Sequence, residues 1–320
     1  MPLFYNLVAE DLQETEEYIR TLLRAENKEI EESALYLLNS GGKRLRPGLL
    51  LLSGHCGHYD KEKLIPVAAA VEIIHMASLV HDDIVDESPI RRGMPTIAKA
   101  KGKRTALITG NYMLTKAIET ILSLEDPTVQ HIALNTAKEM CRGEFDQLKI
   151  RLTPDFEQKH YIERVKQKTA NLISAACEVG AHLSGADEDT VVAMKRFGEK
   201  IGIAFQITDD ILDYTADSDH FGKIIGRDIA DGLATIPLIC AWEKGNQKEV
   251  IRDLFQQCRS EEKAVKELLI MVEQNEGTKI ATQIGQKYIR EAKEELQIIK
   301  KNEVRAAFTE IADFILSRQH

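Results

Sequence analysis

The 320-residue chain is poor in three residues that shape many folds, with 5 cysteines, 8 prolines and 1 tryptophan. Cys56, Cys141, Cys177, Cys240 and Cys258 are scattered, odd in number and contain no Cys-x-x-Cys pair. That excludes a disulfide framework or a thiolate zinc site and fits a reduced, cytoplasmic protein. No proline falls between Pro154 and Pro237. Strict alternation of apolar and polar residues is rare, so extended sheets have little support. No apolar run reaches the ~18 residues a membrane-spanning helix needs. The opening MPLFYNLVAEDLQETEEY lacks the basic and then apolar order of a secretory signal, so none is expected. Lys and Arg total 42 against 51 Asp and Glu, a net charge of −9. This deficit of positive charge argues against a broad nucleic-acid surface.

What remains is helical periodicity. Leu12, Ile19, Leu22, Leu23, Ile30, Leu37 and Leu38 share one face of an expected helix over 10–39, which Gly41-Gly42 ends. A second helix is expected after Pro47, and a third from about Pro66 to a stop at Ser88-Pro89. Further helices are expected over 104–124, 128–149, 156–184, 188–214, 229–244, 247–257, 261–274 and 278–317. No linker rich in Gly, Ser or Pro, no repeat and no low-complexity block marks a boundary. The expected fold is one all-α domain over 1–320, a large helical bundle with a central cavity.

Two stretches carry chemistry. In HMASLVHDDIVDESPIRRG, Asp82, Asp83 and Asp86 have the spacing DDxxD. On a helix this places the acids within one turn of each other on one side. The pattern recurs as Asp209, Asp210 and Asp213 in QITDDILDY, again between apolar residues. A single such motif is commonly a solvated helical face, but two in apolar helices need a counter-ion. Oxygen donors without His or Cys suit Mg²⁺, which bridges carboxylates to phosphates, so two facing clusters are suited to a diphosphate. Basic groups accompany them. GGKRLRP places Lys43, Arg44 and Arg46 beside two glycines, and Arg91-Arg92 follow the first acids. A helix cap explains the former and salt bridges the latter. Guanidinium forks onto phosphate oxygens explain both.

Together, GGKRLRP, EIIHMASLVHDDIVDESPIRRG, KTANL, FQITDDILD and GKIIGRDIADGLATIPL resemble the trans-isoprenyl diphosphate synthases (polyprenyl synthetases), in this order and across nearly the whole chain. The likeness is greatest to the large catalytic component, component II, of bacterial heptaprenyl and hexaprenyl diphosphate synthases. It implies that Asp82, Asp83, Asp86, Asp209, Asp210 and Asp213 are catalytic. Asp82, Asp86 and Asp209 would be metal ligands for Mg²⁺, three ions with substrate bound. Arg91, Lys168, Thr169, Gln206 and Lys223 would contact the allylic diphosphate, and Lys43, Arg46, His75 and Arg92 the diphosphate of isopentenyl diphosphate. Read alone, His75 is a satisfied core histidine, and Lys168 or Lys223 surface decoration. Two departures stand out. Ile224-Ile225 follow Gly222-Lys223 where many relatives have proline after the lysine, and Asn111 stands where many have Asp.

The implied reaction ionises the allylic diphosphate, adds the double bond of isopentenyl diphosphate to the carbocation, and loses a proton to released diphosphate. No side-chain base is assigned. Ala77 lies about 7.5 Å along the helix from Asp82. Small Ala77 and Ser78, where short-chain relatives carry an aromatic plug, imply an open tunnel and a product of about C30–C35 for quinone (menaquinone) side chains, primed by farnesyl diphosphate. The implied partners are a small regulatory subunit or a second copy of the chain, with membrane contact only transiently at product release. Other readings are a homodimeric farnesyl or geranylgeranyl synthase, a terpene cyclase and a non-catalytic subunit. The second DDxxD and GGKRLRP speak against the cyclase, and two intact acidic motifs against the non-catalytic subunit.

Overall fold

The structure, a computed structural model, describes residues 3–215 and 226–317. Its regular elements are helices apart from one small hairpin. In chain order they are α1 (Leu3–Leu22), α2 (Lys28–Asn39), α3 (Leu45–Gly54), α4 (Lys61–Val85), β1 (Ile90–Arg91), β2 (Met94–Pro95), α5 (Ile97–Lys101), α6 (Lys103–Ser123), α7 (Pro127–Leu152) and α8 (Gln158–Val165). A π-helical turn (Lys166–Ala170) leads into α9 (Asn171–Leu183), then α10 (Glu188–Thr215) and α11 (Arg227–Ala230). The chain continues with α12 (Ile236–Lys244), α13 (Lys248–Gln257), α14 (Glu262–Gln274), α15 (Gly277–Glu295), a 3₁₀ turn (Leu296–Ile298) and α16 (Asn302–Ser317). The residues group into two compact units. One comprises 1–135, 175–194 and 298–307, the other 136–174, 195–297 and 308–320.

In the first unit α4 packs against α1, α3 and α6. It is long and apolar enough to cross a membrane by length and composition, yet 67% of its apolar window is buried. Gly110 on α6 makes the closest approach possible, since a Cβ there would meet the His81 ring at 2.4 Å. In the second unit Ile203, Ile207 and Ile211 of α10 join Tyr161, Ile229, Ile236, Ile239 and Leu268 in one buried cluster. Phe156 stacks on Trp242 at its edge, with ring centroids 4.4 Å apart.

Several expected boundaries are corrected. The helix over 10–39 is two helices, because Asn27 accepts from the backbone N–H of Glu29 (2.9 Å) and Ile30 (3.3 Å) and so caps α2. α3 starts before Pro47, not after it. α4 starts at Lys61, before Pro66, because the Asp60 carboxylate accepts from the Glu62 N–H and supplies the cap. The stretches 156–184, 229–244 and 278–317 are interrupted at the π turn, at Asp231–Thr235 and at the 3₁₀ turn. The hairpin was not expected. Arg92 (φ 51°) and Gly93 (φ 76°) form its two-residue loop, with Ile90 opposite Pro95 and Arg91 opposite Met94. Two successive positive φ values match the twist of a tight hairpin.

Candidate active site

α4 is buried along most of its length, but Ile74, His75, Ser78, Leu79, Asp82 and Asp86 form a partly exposed stripe, with His81 and Ile84 also partly exposed and Val85 exposed near the helix end. The stripe positions recur every three or four residues, so they form one face. The helix ends inside its acidic motif. Asp86 is the cap residue and donates its N–H to the Asp82 carbonyl (2.8 Å), while Glu87 is left-handed (φ 50°) and the Ser88 N–H reaches back to the Asp83 carbonyl (3.1 Å). This is a Schellman-type stop, and it holds Asp86 one turn above Asp82. Asp83 turns elsewhere. Its buried carboxylate takes a fork from Arg91, with Nε at 2.9 and 3.0 Å and Nη2 at 2.8 Å. Asp83 is thus set apart from Asp82 and Asp86, because the Arg91 guanidinium on β1 neutralises it.

The charges of four arginines bear on His75. Burial lowers its basicity most, and the positive charges of Arg46, Arg92, Arg91 and Arg44 lower it further, so the imidazole is neutral at pH 7. Ser78 donates its hydroxyl hydrogen to the His75 carbonyl (2.8 Å). The charges of Arg46 and Arg92 thus act on His75, and Lys43 lies exposed on the loop before α3. Arg44 has a different setting. Its side chain is 12% exposed and donates to Glu72 Oε1 (3.0 Å), the Leu38 carbonyl (2.7 Å) and Glu16 Oε2 (3.4 Å). Ala77 is fully buried, so of the two small residues only Ser78 reaches the accessible stripe.

In the second unit α10 repeats this design. Phe205, Gln206, Asp209, Leu212 and Asp213 are its partly exposed positions near the motif, while Ile207, Thr208, Asp210 and Ile211 are buried. Thr169 donates to the Gln206 side-chain oxygen (2.9 Å), and the Gln206 amide donates to Asp210 Oδ1 (2.8 Å). Tyr161 donates to Asp210 Oδ2 (2.6 Å). The Asp210 carboxyl is raised to about 7, chiefly by burial and further by Asp209, against the two hydrogen bonds and the Arg164 charge, which lower it. Asp228 is raised well above the usual range, first by burial and then by Asp210 and Asp213. Asp213 is tied back by the N–H of Asp228 (3.0 Å). Lys168 sits on the π turn and pairs with Glu144 Oε2 at 2.6 Å. Gly143 permits this approach, since a Cβ there would lie 2.9 Å from the Lys168 backbone nitrogen. Lys223, with Gly222 and Ile224-Ile225, lies outside the described residues.

The donor set fits Mg²⁺. The acids offer hard oxygen ligands with no thiolate or imidazole, and a divalent cation offsets the burial that disfavours ionised Asp210 and Asp228. Among the described residues no group of three His, Cys, Asp or Glu side chains is placed to hold a metal. Mg²⁺ suits such a setting, because it retains waters and takes phosphate oxygens from its substrate. Reading the sequence missed Glu72, Glu144, Tyr161 and Asp228. A lone acid in VAAAVEIIHMAS was a usable signal for Glu72. Tyr161 gave none, because its contact with Asp210 spans 49 residues of sequence.

The polyprenyl synthetase family model matches residues 27–272. The chain belongs to the polyprenyl synthetase family. As a polyprenyl synthetase it is similar to heptaprenyl diphosphate synthase component 2 of Geobacillus stearothermophilus, 35% identical over 99% of this chain and 98% of the relative. Among solved structures it resembles the heptaprenyl diphosphate synthase of Staphylococcus aureus, with TM-score 0.91, 31% identity and coverage of 98% and 99% of the two chains. It also resembles a polyprenyl synthase of Caulobacter crescentus complexed with calcium and isoprenyl diphosphate, with TM-score 0.92, 29% identity and coverage of 99% and 98%. The all-α architecture and the family resemblance read from the sequence are borne out. This polyprenyl synthetase is a trans-prenyltransferase that makes a polyprenyl diphosphate. Polyprenyl synthetases are generally Mg²⁺-dependent.

Proposed function

We propose that the chain condenses isopentenyl diphosphate with an allylic diphosphate, farnesyl diphosphate being the primer, to a product of about C30–C35 whose length follows the room beside Ser78. The observation that carries this reading is the accessible stripe of α4, which runs from His75 through Ser78 to Asp82 and Asp86 on a helix buried along most of its length. One face thus presents, in order, a group for one diphosphate, a small residue and a pair of acids.

Asp82, Asp86 and Asp209 serve as Mg²⁺ ligands, and Asp83, Asp210 and Asp213 orient their surroundings. When bound, Mg²⁺ supplies Lewis-acid stabilisation of charge on the departing diphosphate. Arg91, held by its fork with Asp83, and Lys168, held by Glu144, offer N–H donors toward the allylic diphosphate. Gln206 and Thr169 form the polar chain that aligns Asp210, and Lys223 completes the allylic set. Arg46, Arg92, Lys43 and neutral His75 hold the diphosphate of isopentenyl diphosphate. A neutral imidazole donates one hydrogen bond without adding charge to a crowded basic cluster. Ala77, fully buried beside Ser78 in sequence, is the second residue that sets product length. Residues 1–320 make up one catalytic prenyltransferase domain. The relative named component 2 supports a small partner subunit for this chain, and the cytoplasm is the compartment that the scattered thiols favour.

Purified protein with Mg²⁺, farnesyl diphosphate and isopentenyl diphosphate, with and without the candidate small subunit, tests the reading. Long products are expected only with the subunit. Turnover to long products by the chain alone refutes that dependence. Asp82→Ala and Asp209→Ala each lower turnover by about 10²-fold or more. Near-normal turnover in either variant overturns the metal assignment.

A further inference from the structure

We infer that Arg44 and Glu72 form a positioning pair that sets the 41–46 loop and with it the affinity for isopentenyl diphosphate. This rests on the reading that Lys43, Arg46, His75 and Arg92 hold that substrate.

Arg44 stands between Lys43 and Arg46 in sequence; Lys43 is exposed, whereas the Arg44 side chain is 12% exposed and turned to protein acceptors. Its guanidinium is spread over three acceptors from three segments: Glu72 on α4, the carbonyl of Leu38 on α2 and Glu16 on α1. Glu72 is 3% exposed in an apolar helix, one turn before His75. Removing Arg44 leaves Glu72 as a buried carboxylate without its ion pair, and removing Glu72 leaves Arg44 with only the Leu38 carbonyl and the longer pair with Glu16. The loop needs such an anchor. Gly41 (φ 86°), Gly42 (φ 148°) and Arg44 (φ 47°) all have positive φ, and left-handed Arg44 persists only where its surroundings enforce it. A Cβ on Gly42 would lie 2.9 Å from Arg92 Nη1 and 3.2 Å from Arg44 Nη1, so the loop backbone closes onto one arginine of each kind. The Glu72 charge also acts on Arg92. One buried carboxylate therefore fixes a cation that is no ligand and bears on one that is. A lysine in place of Arg44 keeps the charge, but a single ammonium does not reproduce the planar fork onto three acceptors.

The test is steady-state kinetics of the full chain with Mg²⁺, and with its partner subunit if turnover needs it, on Glu72→Gln, Arg44→Lys and Lys43→Ala. Glu72→Gln and Arg44→Lys are expected to raise KM for isopentenyl diphosphate about tenfold or more, with KM for farnesyl diphosphate within about twofold and kcat within about threefold. The double variant Glu72→Gln/Arg44→Lys is expected to be no worse than the stronger single, because the pair acts as a unit. If Lys43→Ala raises KM for isopentenyl diphosphate and the two pair variants leave it unchanged, the inference is overturned while the substrate assignment stands. If Lys43→Ala itself leaves that KM unchanged, the substrate assignment fails and the inference with it. A parallel rise of both KM values together with a fall in kcat shows a general structural role and also overturns it. Arg44→Lys keeps the experiment decisive should Glu72→Gln not fold.

Discussion

Removing a single oxygen atom from Tyr161 tests how the second acidic motif is held. The Tyr161 hydroxyl donates to Asp210 Oδ2 at 2.6 Å, and both residues are buried. In Tyr161→Phe the ring and its packing remain, so no large cavity opens, and the lost interaction is a hydrogen bond to a carboxylate. Such bonds contribute about 1.5–3 kcal/mol, while a neutral one contributes about 0.5–1.5 kcal/mol. The same unit contains the neutral comparison, since Tyr214 and Thr235 share a hydroxyl–hydroxyl hydrogen bond of 2.8 Å. At pH 8, above the value of about 7 to which burial pushes Asp210, the carboxylate is the dominant form. Tyr161→Phe should then lower stability about twice as much as Tyr214→Phe in urea unfolding without Mg²⁺. It should also lower kcat, because Asp210 keeps only the Gln206 amide to align it. Equal losses in the two variants would refute the view that a charge-assisted bond orients the motif.

Other outcomes follow from the same geometry. Ser78→Phe is expected to shorten the product, read by mass spectrometry, with little loss of stability because Ser78 is partly exposed; an unchanged chain length rejects the tunnel reading. Ala77→Phe is expected to shorten it too but to lower stability by about 1–3 kcal/mol, since Ala77 is fully buried. The folded state holds His75 well below its ordinary value, so the unfolded chain binds its proton first as pH falls. Stability from this group is therefore present above about pH 6.5 and lost below it, toward the lower folded value. The urea midpoint of His75→Gln should fall less than that of the parent between pH 7.5 and 5.5. Chelation of Mg²⁺ should abolish turnover and its return should restore it; full activity in excess EDTA would contradict the assigned role of the acids.

The second DDxxD was legible because its acids interrupt an apolar helix, and a run of that kind demands a counter-ion wherever the helix packs. That logic did not reach His75, Arg46 and Arg92, which were assigned to one diphosphate only through the family resemblance of GGKRLRP and HMASLVHDD. Helix breaks were less legible. The apolar spacing runs through Arg24–Asn27 because α1 and α2 both face the core, while the break depends on the single side chain of Asn27. Local capping outweighed periodicity there, as Asp60 outweighed Pro66 at the start of α4.

The sequence by itself determined the helical class, the two acidic motifs and the family, because these depend on residue type and short spacing within single helices. Only the tertiary structure decided which acids are already engaged. Asp83 is held by Arg91 and Asp210 by Tyr161, and Arg44 binds Glu72 in place of a site. Those partners lie 8, 49 and 28 residues apart along the chain. A charge buried by folding is neutralised by whatever cation or donor the packing brings to it, and linear spacing holds no record of that choice.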